Sequence, residues 1–122
     1  QGGGDNTFLK NVFCENLVIR DKNGRWRGLF GLAKGYAILK IYGDDGESTV
    51  AYLGGNTTEN NEMMLQFQSK SKTDKREASM GIDGNGGRFE SNNKMGEVVA
   101  IIGTGLDGGG VVGTYDKFGY RK

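Results

Sequence analysis

Three sets of residues in this 122-residue chain have types and spacings that chemistry can use. The first is Gly103-Thr-Gly105-Leu-Asp-Gly108, a G-x-G-x-x-G run entered from the apolar stretch Val98 to Ile102. Such a run binds a dinucleotide when it opens a helix whose N-terminus takes the pyrophosphate, with an acidic residue about 20 positions later for the ribose. The next residues, Gly109-Gly110-Val111-Val112-Gly113-Thr114, read as another strand, so the segment is expected to be a strand and its return loop. The second set is Asp44-Asp45-Gly46, Asp83-Gly84-Asn85-Gly86 and Asp107-Gly108-Gly109. Carboxylates in glycine-rich loops suggest calcium, but a calcium loop needs several oxygens at fixed spacing ending in a second carboxylate, and Asp83 to Gly87 matches only the first half of one. Turns built from turn-forming residues are the expectation there. The third is acid–base chemistry. The chain has no histidine and a single cysteine, Cys14, which leaves paired carboxylates as the only general acid–base option. Asp21, Glu47, Glu77, Glu90 and Glu97 offer many equivalent candidates and no distinguished pair. The one cluster of basic and aromatic residues, Arg20, Lys22, Arg25, Trp26 and Arg27, could grip a phosphate or anionic sugar; with Trp26 on the inward row, a core tryptophan flanked by solvated arginines is expected. No catalytic, cofactor-binding or metal-binding residue is assigned.

The elements that carry these residues repeat. Leu17-x-Ile19-x-Asp21-x-x-Gly24 returns as Leu39-x-Ile41 leading to Asp45-Gly46, and the turn glycines 24 and 46 lie 22 residues apart. It returns again as Leu65-x-Phe67 with Asp74 in the turn slot, as Phe89 leading to Gly96, and as Val112-x-Thr114-x-Asp116-x-x-Gly119. Five copies of one supersecondary unit imply a stacked or fibrous architecture rather than a globular enzyme.

Each unit reads as two short strands. In the first, Leu17/Ile19, Leu39/Ile41 and Leu65/Phe67 point one way and Val18/Arg20, Lys40/Tyr42 and Gln66/Gln68 the other, the period of a strand with one wet face. In the fourth and fifth copies the inward pair weakens to Phe89/Ser91 and Val112/Thr114. The inward row of the second strand is expected at Trp26/Gly28/Phe30, Ser48/Val50/Tyr52, Arg76/Ala78/Met80 and Val98/Ala100/Ile102, a large-small-large pattern suited to a narrow interior. The copies close at Gly31, Gly54, Gly81 and Gly103, followed by return loops, of which Gly55 to Glu62 is the longest. An extra residue between Gly46 and Leu53 suggests a bulge in the second copy. No window supports a helix of ordinary length.

Composition sets the limits. With 23 glycines, no proline and 35% hydrophobic residues, the core is lean, and a repeat with a thin apolar face completes its core by stacking or by association with its own copies. A net charge of +1 from 16 basic and 15 acidic side chains argues against nucleic acid or an anionic membrane as partner. The lone Cys14, beside Val12 and Phe13, is expected to be a buried structural thiol. No apolar run reaches the ~18 residues of a membrane span, and residues 1–11, opening Gln1-Gly2-Gly3-Gly4, read as a linker or leader before a β-repeat domain over residues 12–122.

On Leu17, Asp21, Gly24, Arg27, Phe30 and Gly31, the chain resembles uncharacterised bacterial proteins with L-x-L-x-D-x-x-G-x-x-R-A-x-L-G repeats, often found downstream of a coiled-coil stalk. In its two-strand, glycine-rich, proline-free style it also resembles the triple-stranded β-helices of phage tail fibres and phage hyaluronidases. Together with the repeat, these likenesses imply an all-β fold: an elongated repeat of short strands, as a β-solenoid or, preferably, an intertwined homotrimeric β-prism. Its core is expected from Leu17, Ile19, Trp26, Phe30, Leu39, Ile41, Leu65, Phe67, Met80, Phe89, Val98 and Ile102. The expected function is a structural fibre, shaft or tip segment on a cell surface or virion, self-associating and without enzymatic activity or cofactor. The alternatives are a carbohydrate- or ligand-binding surface module and a phage-type polysaccharide hydrolase.

Overall fold

The computed structural model describes residues 6–122. Nine strands, β1 (Asn16–Arg20), β2 (Trp26–Ala33), β3 (Tyr36–Tyr42), β4 (Thr49–Asn56), β5 (Glu62–Gln68), β6 (Glu77–Ile82), β7 (Gly87–Asn92), β8 (Val98–Thr104) and β9 (Gly110–Thr114), form one open sheet in chain order. Every neighbouring pair is antiparallel. The only helical piece among the described residues is a 3-10 turn, Thr57–Glu59, capped by the side chain of Asn56. Each repeat is therefore one hairpin, β1–β2 through β7–β8. The fifth copy is β9 with a return strand reduced to a single bridge, Tyr115 to Arg121. The chain before β1, Asn6 to Glu15, carries no strand, and the Gln1-Gly2-Gly3-Gly4 start lies outside the described residues.

Turn chemistry explains the hairpins. In the first copy Asp21 Oδ1 accepts from the backbone NH of Asn23 and Arg25, at 2.9 and 3.1 Å, and Gly24, at φ +82°, closes onto the Asp21 carbonyl. A β-carbon resists that left-handed conformation, so glycine holds the slot. The fourth and fifth copies repeat the arrangement: Asn93 Oδ1 accepts from Met95 and Glu97, and Asp116 Oδ1 from Phe118 and Tyr120. Asparagine serves as well as aspartate because the turn uses an acceptor oxygen rather than a charge.

The turns are also tied sideways to one another. Ser48 donates to the Lys70 carbonyl, the Lys75 NH to the Lys94 carbonyl, and the Asn93 amide to the Lys117 carbonyl at 2.8 Å. The side chains of Arg25, Lys75 and Glu97 lie over Gly46, Gly96 and Gly119 of the next copy, leaving no room there for a β-carbon. One long edge of the sheet is thereby a stapled row of turns.

Register shows a recurring bulge and corrects the expected frame of the second copy. Residues Arg27, Val50 and Val99 are each left unpaired as the strand leaves its turn, so the bulge belongs to copies one, two and four. The extra residue of copy two sits in its turn: Gly43 closes on the carbonyl of Ser48, a six-residue span, where Asp21 closes on Arg25 in five. The side-chain period being two, Ala51 and Leu53 take the row expected for Val50 and Tyr52. Tyr52 points to the opposite face and donates to the Gly55 carbonyl at 2.8 Å.

Candidate functional site

The pleat puts alternate residues on opposite faces, and the register then lines up whole rows across the sheet. On one face Leu17, Phe30, Leu39, Leu53, Leu65, Met80, Phe89, Ile102 and Val112 are successive cross-strand partners, one from each strand. Every member of this ladder is a large apolar residue. The row on one side of it runs Ile19, Gly28, Ile41, Ala51, Phe67, Ala78, Ser91, Ala100, Thr114. The row on the other side pairs Leu32 with Ala37, Gly55 with Met63, Ile82 with Gly87 and Thr104 with Gly110. Both flanking rows mix large with small residues, and from Ala78 to Thr114 the first holds nothing larger than threonine, so the ladder stands up as a ridge. Across the bulges Trp26 and Val98 pair with Arg20 and Asn92, outside these rows.

Nothing among the described residues covers the ridge. Leu65 is half-buried, and the other ladder residues are exposed, from 38% for Leu53 to 73% for Val112. Ten of the twelve expected core residues thus lie together on one face, all but Trp26 and Val98, and that face is open. Ile38, at 4% exposure, is the one buried large side chain among the described residues, and it lies on the other side of the sheet.

That other side is built to close on itself. Along one of its rows the odd-numbered strands carry Asn16, Ile38, Met64, Arg88 and Val111, and the even-numbered strands carry Gly31, Gly54, Gly81 and Gly103. Large side chains lie down over the glycines. A β-carbon on Gly54 would meet Tyr52 Oη at 2.6 Å and Ile38 Cγ2 at 3.0 Å, and one on Gly81 would meet the Met63 carbonyl at 3.0 Å. The repeated glycines that close each copy are spaces for the neighbouring strand's side chains. Polar residues from a second row, Lys40, Gln66, Ser79 and Glu90, complete this face.

The chemistry-bearing residues are mostly held in turns. Asp45 is held to about 2, below the ordinary 3.8, first by the Ser48 hydroxyl and then by the NH groups of Glu47 and Ser48. Burial of Asp21 works to raise its pKa and is outweighed by the NH groups of Arg25 and Asn23 and by the Arg25 cation, so the net direction is down. Asp83 is lowered chiefly by the Asn85 NH, with Gly86 NH and Arg88 adding to it, and Asp74 is lowered by the NH and guanidinium of Arg76 against the opposing effect of burial. A general acid needs the opposite shift.

The carboxylates singled out in the sequence are scattered. Glu77 accepts from Gln68, Glu90 accepts from Arg88, Glu97 covers Gly119, and Asp21 serves its own turn. No group of three or more metal-capable residues converges among the described residues. Gly103 to Gly108 is the end of β8 and a hairpin turn, closed by Gly105 NH onto the Gly109 carbonyl, and it leads into β9. The basic cluster is held within its own hairpin: Arg25 and Arg27 lie 3.3 and 3.7 Å from Asp21, and Trp26, expected in the core, is exposed and pairs with Arg20.

Cys14 is exposed, contrary to the expected buried thiol, because the segment before β1 pairs with nothing. It borders an apolar hollow lined by Val12, Leu17, Phe30, Leu32 and Ala37 at one corner of the ridge face. A recess of about 350 Å³ lies on the glycine-row side between the Thr57–Glu59 turn and the β6–β7 turn. Arg88 lines it, held 2.6 Å from Glu90 and 3.8 Å from Asp83, so these three charges are paired with one another. The apolar ridge, not this recess, is the candidate functional surface. Alternation in the sequence finds its residues apart from Leu53, and only the register shows that they form one unbroken row.

Comparison with family models, with curated proteins and with solved structures gives no match.

Proposed function

We propose that this chain is a structural segment, a rigid β-repeat that covers its apolar face with further copies of itself and serves as part of a fibre, shaft or tip on a cell surface or virion. The observation that carries this reading is the ridge of nine large apolar residues left open along the full width of the sheet. An apolar surface that continuous is a protein-binding surface. Repetition says what binds it: the same row recurs at every hairpin, so the surface that fits it best has the same spacing, which another copy of the chain supplies. The stapled turns give such an assembly a stiff edge, as a shaft requires. The likeness to phage fibre proteins and stalk-borne bacterial repeats agrees with that task.

Folding and association are then coupled, and the midpoint of thermal unfolding rises with protein concentration. Sedimentation velocity and melting curves over two decades of concentration test this. A single-chain species whose midpoint does not move with concentration would overturn the proposal.

A further inference from the structure

We infer that the number of copies is three, arranged around an axis that runs along the stacking direction of the strands with the ridge of each sheet pointing at it. This rests on the self-association proposed above and adds the geometry of the assembly. Three observations carry it.

The first is the cross-section of the face. Two sheets packed face to face stand about 10 Å apart along their whole width, so each contributes a layer about 5 Å deep that must be filled evenly. Here only the middle row is filled at every strand. In the flanking rows Gly28, Ala51 and Ala78 stand opposite Ile19, Ile41 and Phe67, and Ala100 opposite Ser91, and a flat sandwich would leave voids over the small residues. Interiors do not tolerate such voids cheaply. Three sheets forming the sides of a triangular prism make a gap that is deepest at mid-strand and narrows towards each corner. A middle row that is large at every strand, between flanks interrupted by Gly28, Ala51, Ala78 and Ala100, has that shape.

The second is the depth of the prism. Strands of five to seven residues, the lengths of β1 and β3, are about 17–24 Å long, which puts the axis of a three-sided prism about 5–7 Å from mid-strand. One layer of leucine, phenylalanine and methionine fills that distance. A four-sided arrangement of the same strands places the axis about 8–12 Å away and leaves a channel that this ridge does not reach.

The third is the area to be covered. The chain exposes 9140 Å², whereas a compact monomer of 13.2 kDa exposes about 6,400 Å². The excess of about 2,700 Å² is more than three times the ~800 Å² that one partner contributes to a standard interface. In a ring of three each copy has two neighbours and covers its face from both sides.

Native mass spectrometry of the unsubstituted chain is the primary test, with three times the 13.2 kDa chain mass expected. In a Cys14→Ser background, Leu17→Cys, Leu65→Cys and Val112→Cys place thiols on the first, middle and last strands of the ridge. Around the inferred axis each thiol faces its own counterparts, so mild oxidation links chains at all three levels. A mass of two or four chains overturns the threefold arrangement and leaves self-association standing. A mass of one chain, unchanged with concentration, overturns both. A three-chain mass with linkage at Leu65 alone removes the ridge from the axis.

Discussion

At the scale of single residues the repeat is held by oxygens rather than by charges. Asp21, Asn93 and Asp116 occupy the same turn position and accept two backbone NH groups each. Asn93 already shows that the acceptor suffices. Asp116→Asn is therefore expected to be silent in urea unfolding, whereas Asp116→Ala strands the NH groups of Phe118 and Tyr120 and costs about 1 kcal/mol. Equal losses for the two variants would show that charge matters after all. Acid sensitivity centres on Asp45, where the folded pKa is lowered to about 2. A carboxylate lowered on folding contributes stability above its unfolded pKa and loses it as the pH falls through the folded one. That window runs from the ordinary 3.8 down to about 2. Ser48→Ala removes the largest cause, so the Asp45 carboxyl should titrate at higher pH in side-chain NMR, and acid unfolding should begin earlier. An unmoved titration would mean that the hydroxyl does not hold Asp45.

At the scale of elements, much of the architecture is legible in the sequence because strands and turns have local causes. Alternation at Leu17/Ile19, Leu39/Ile41 and Leu65/Phe67 assigns faces correctly, and each D-x-x-G or its asparagine variant makes a hairpin. The frame of the second copy is not legible in the same way, because an added residue can be absorbed by a bulge or by a longer turn. Spacing alone does not distinguish them, and the choice flips Tyr52 and Leu53 between faces. Gly54 and Gly81 read as chain-closing glycines, yet what crowds them includes groups of the adjacent strand, Ile38 at Gly54 and Met63 and Met64 at Gly81, a non-local fact. The absence of a cover over the ridge is likewise invisible, since hydrophobic pattern reports which residues share a face and not what lies opposite.

The long return loop is also smaller than its composition suggests. Gly55 and Asn56 belong to β4 and Glu62 to β5, with Asn56 paired to Glu62, so only Thr57 to Asn61 are outside the ladder. The equivalent link in the first copy, between the paired Ala33 and Tyr36, is the two-residue turn Lys34-Gly35 at φ +52° and +84°. Such a turn matches the twist of a hairpin. Replacing residues 57–61 by Lys-Gly is expected to leave the melting midpoint and oligomer mass almost unchanged. Loss of the folded oligomer would show that the 3-10 turn is part of the architecture.

For the molecule as a whole, the two faces make opposite predictions about where substitution matters. Ala100 lies in a flanking row of the ridge face, where nothing among the described residues packs over it, and Gln66 lies on the opposite face. In an isolated sheet, Ala100→Leu would add an exposed side chain and change stability by no more than about ±0.5 kcal/mol, as surface substitutions do. In the assembled protein the same leucine has to fit into the narrowing corner between two copies, so overpacking costs about 1–3 kcal/mol at each site. That cost falls on the association step and shows as a lower melting midpoint at high protein concentration and a rise in free single chains on dilution. Gln66→Lys, facing solvent in either case, should move neither measurement. If Ala100→Leu and Gln66→Lys behave alike across the concentration range, the ridge face is not the surface that the copies share.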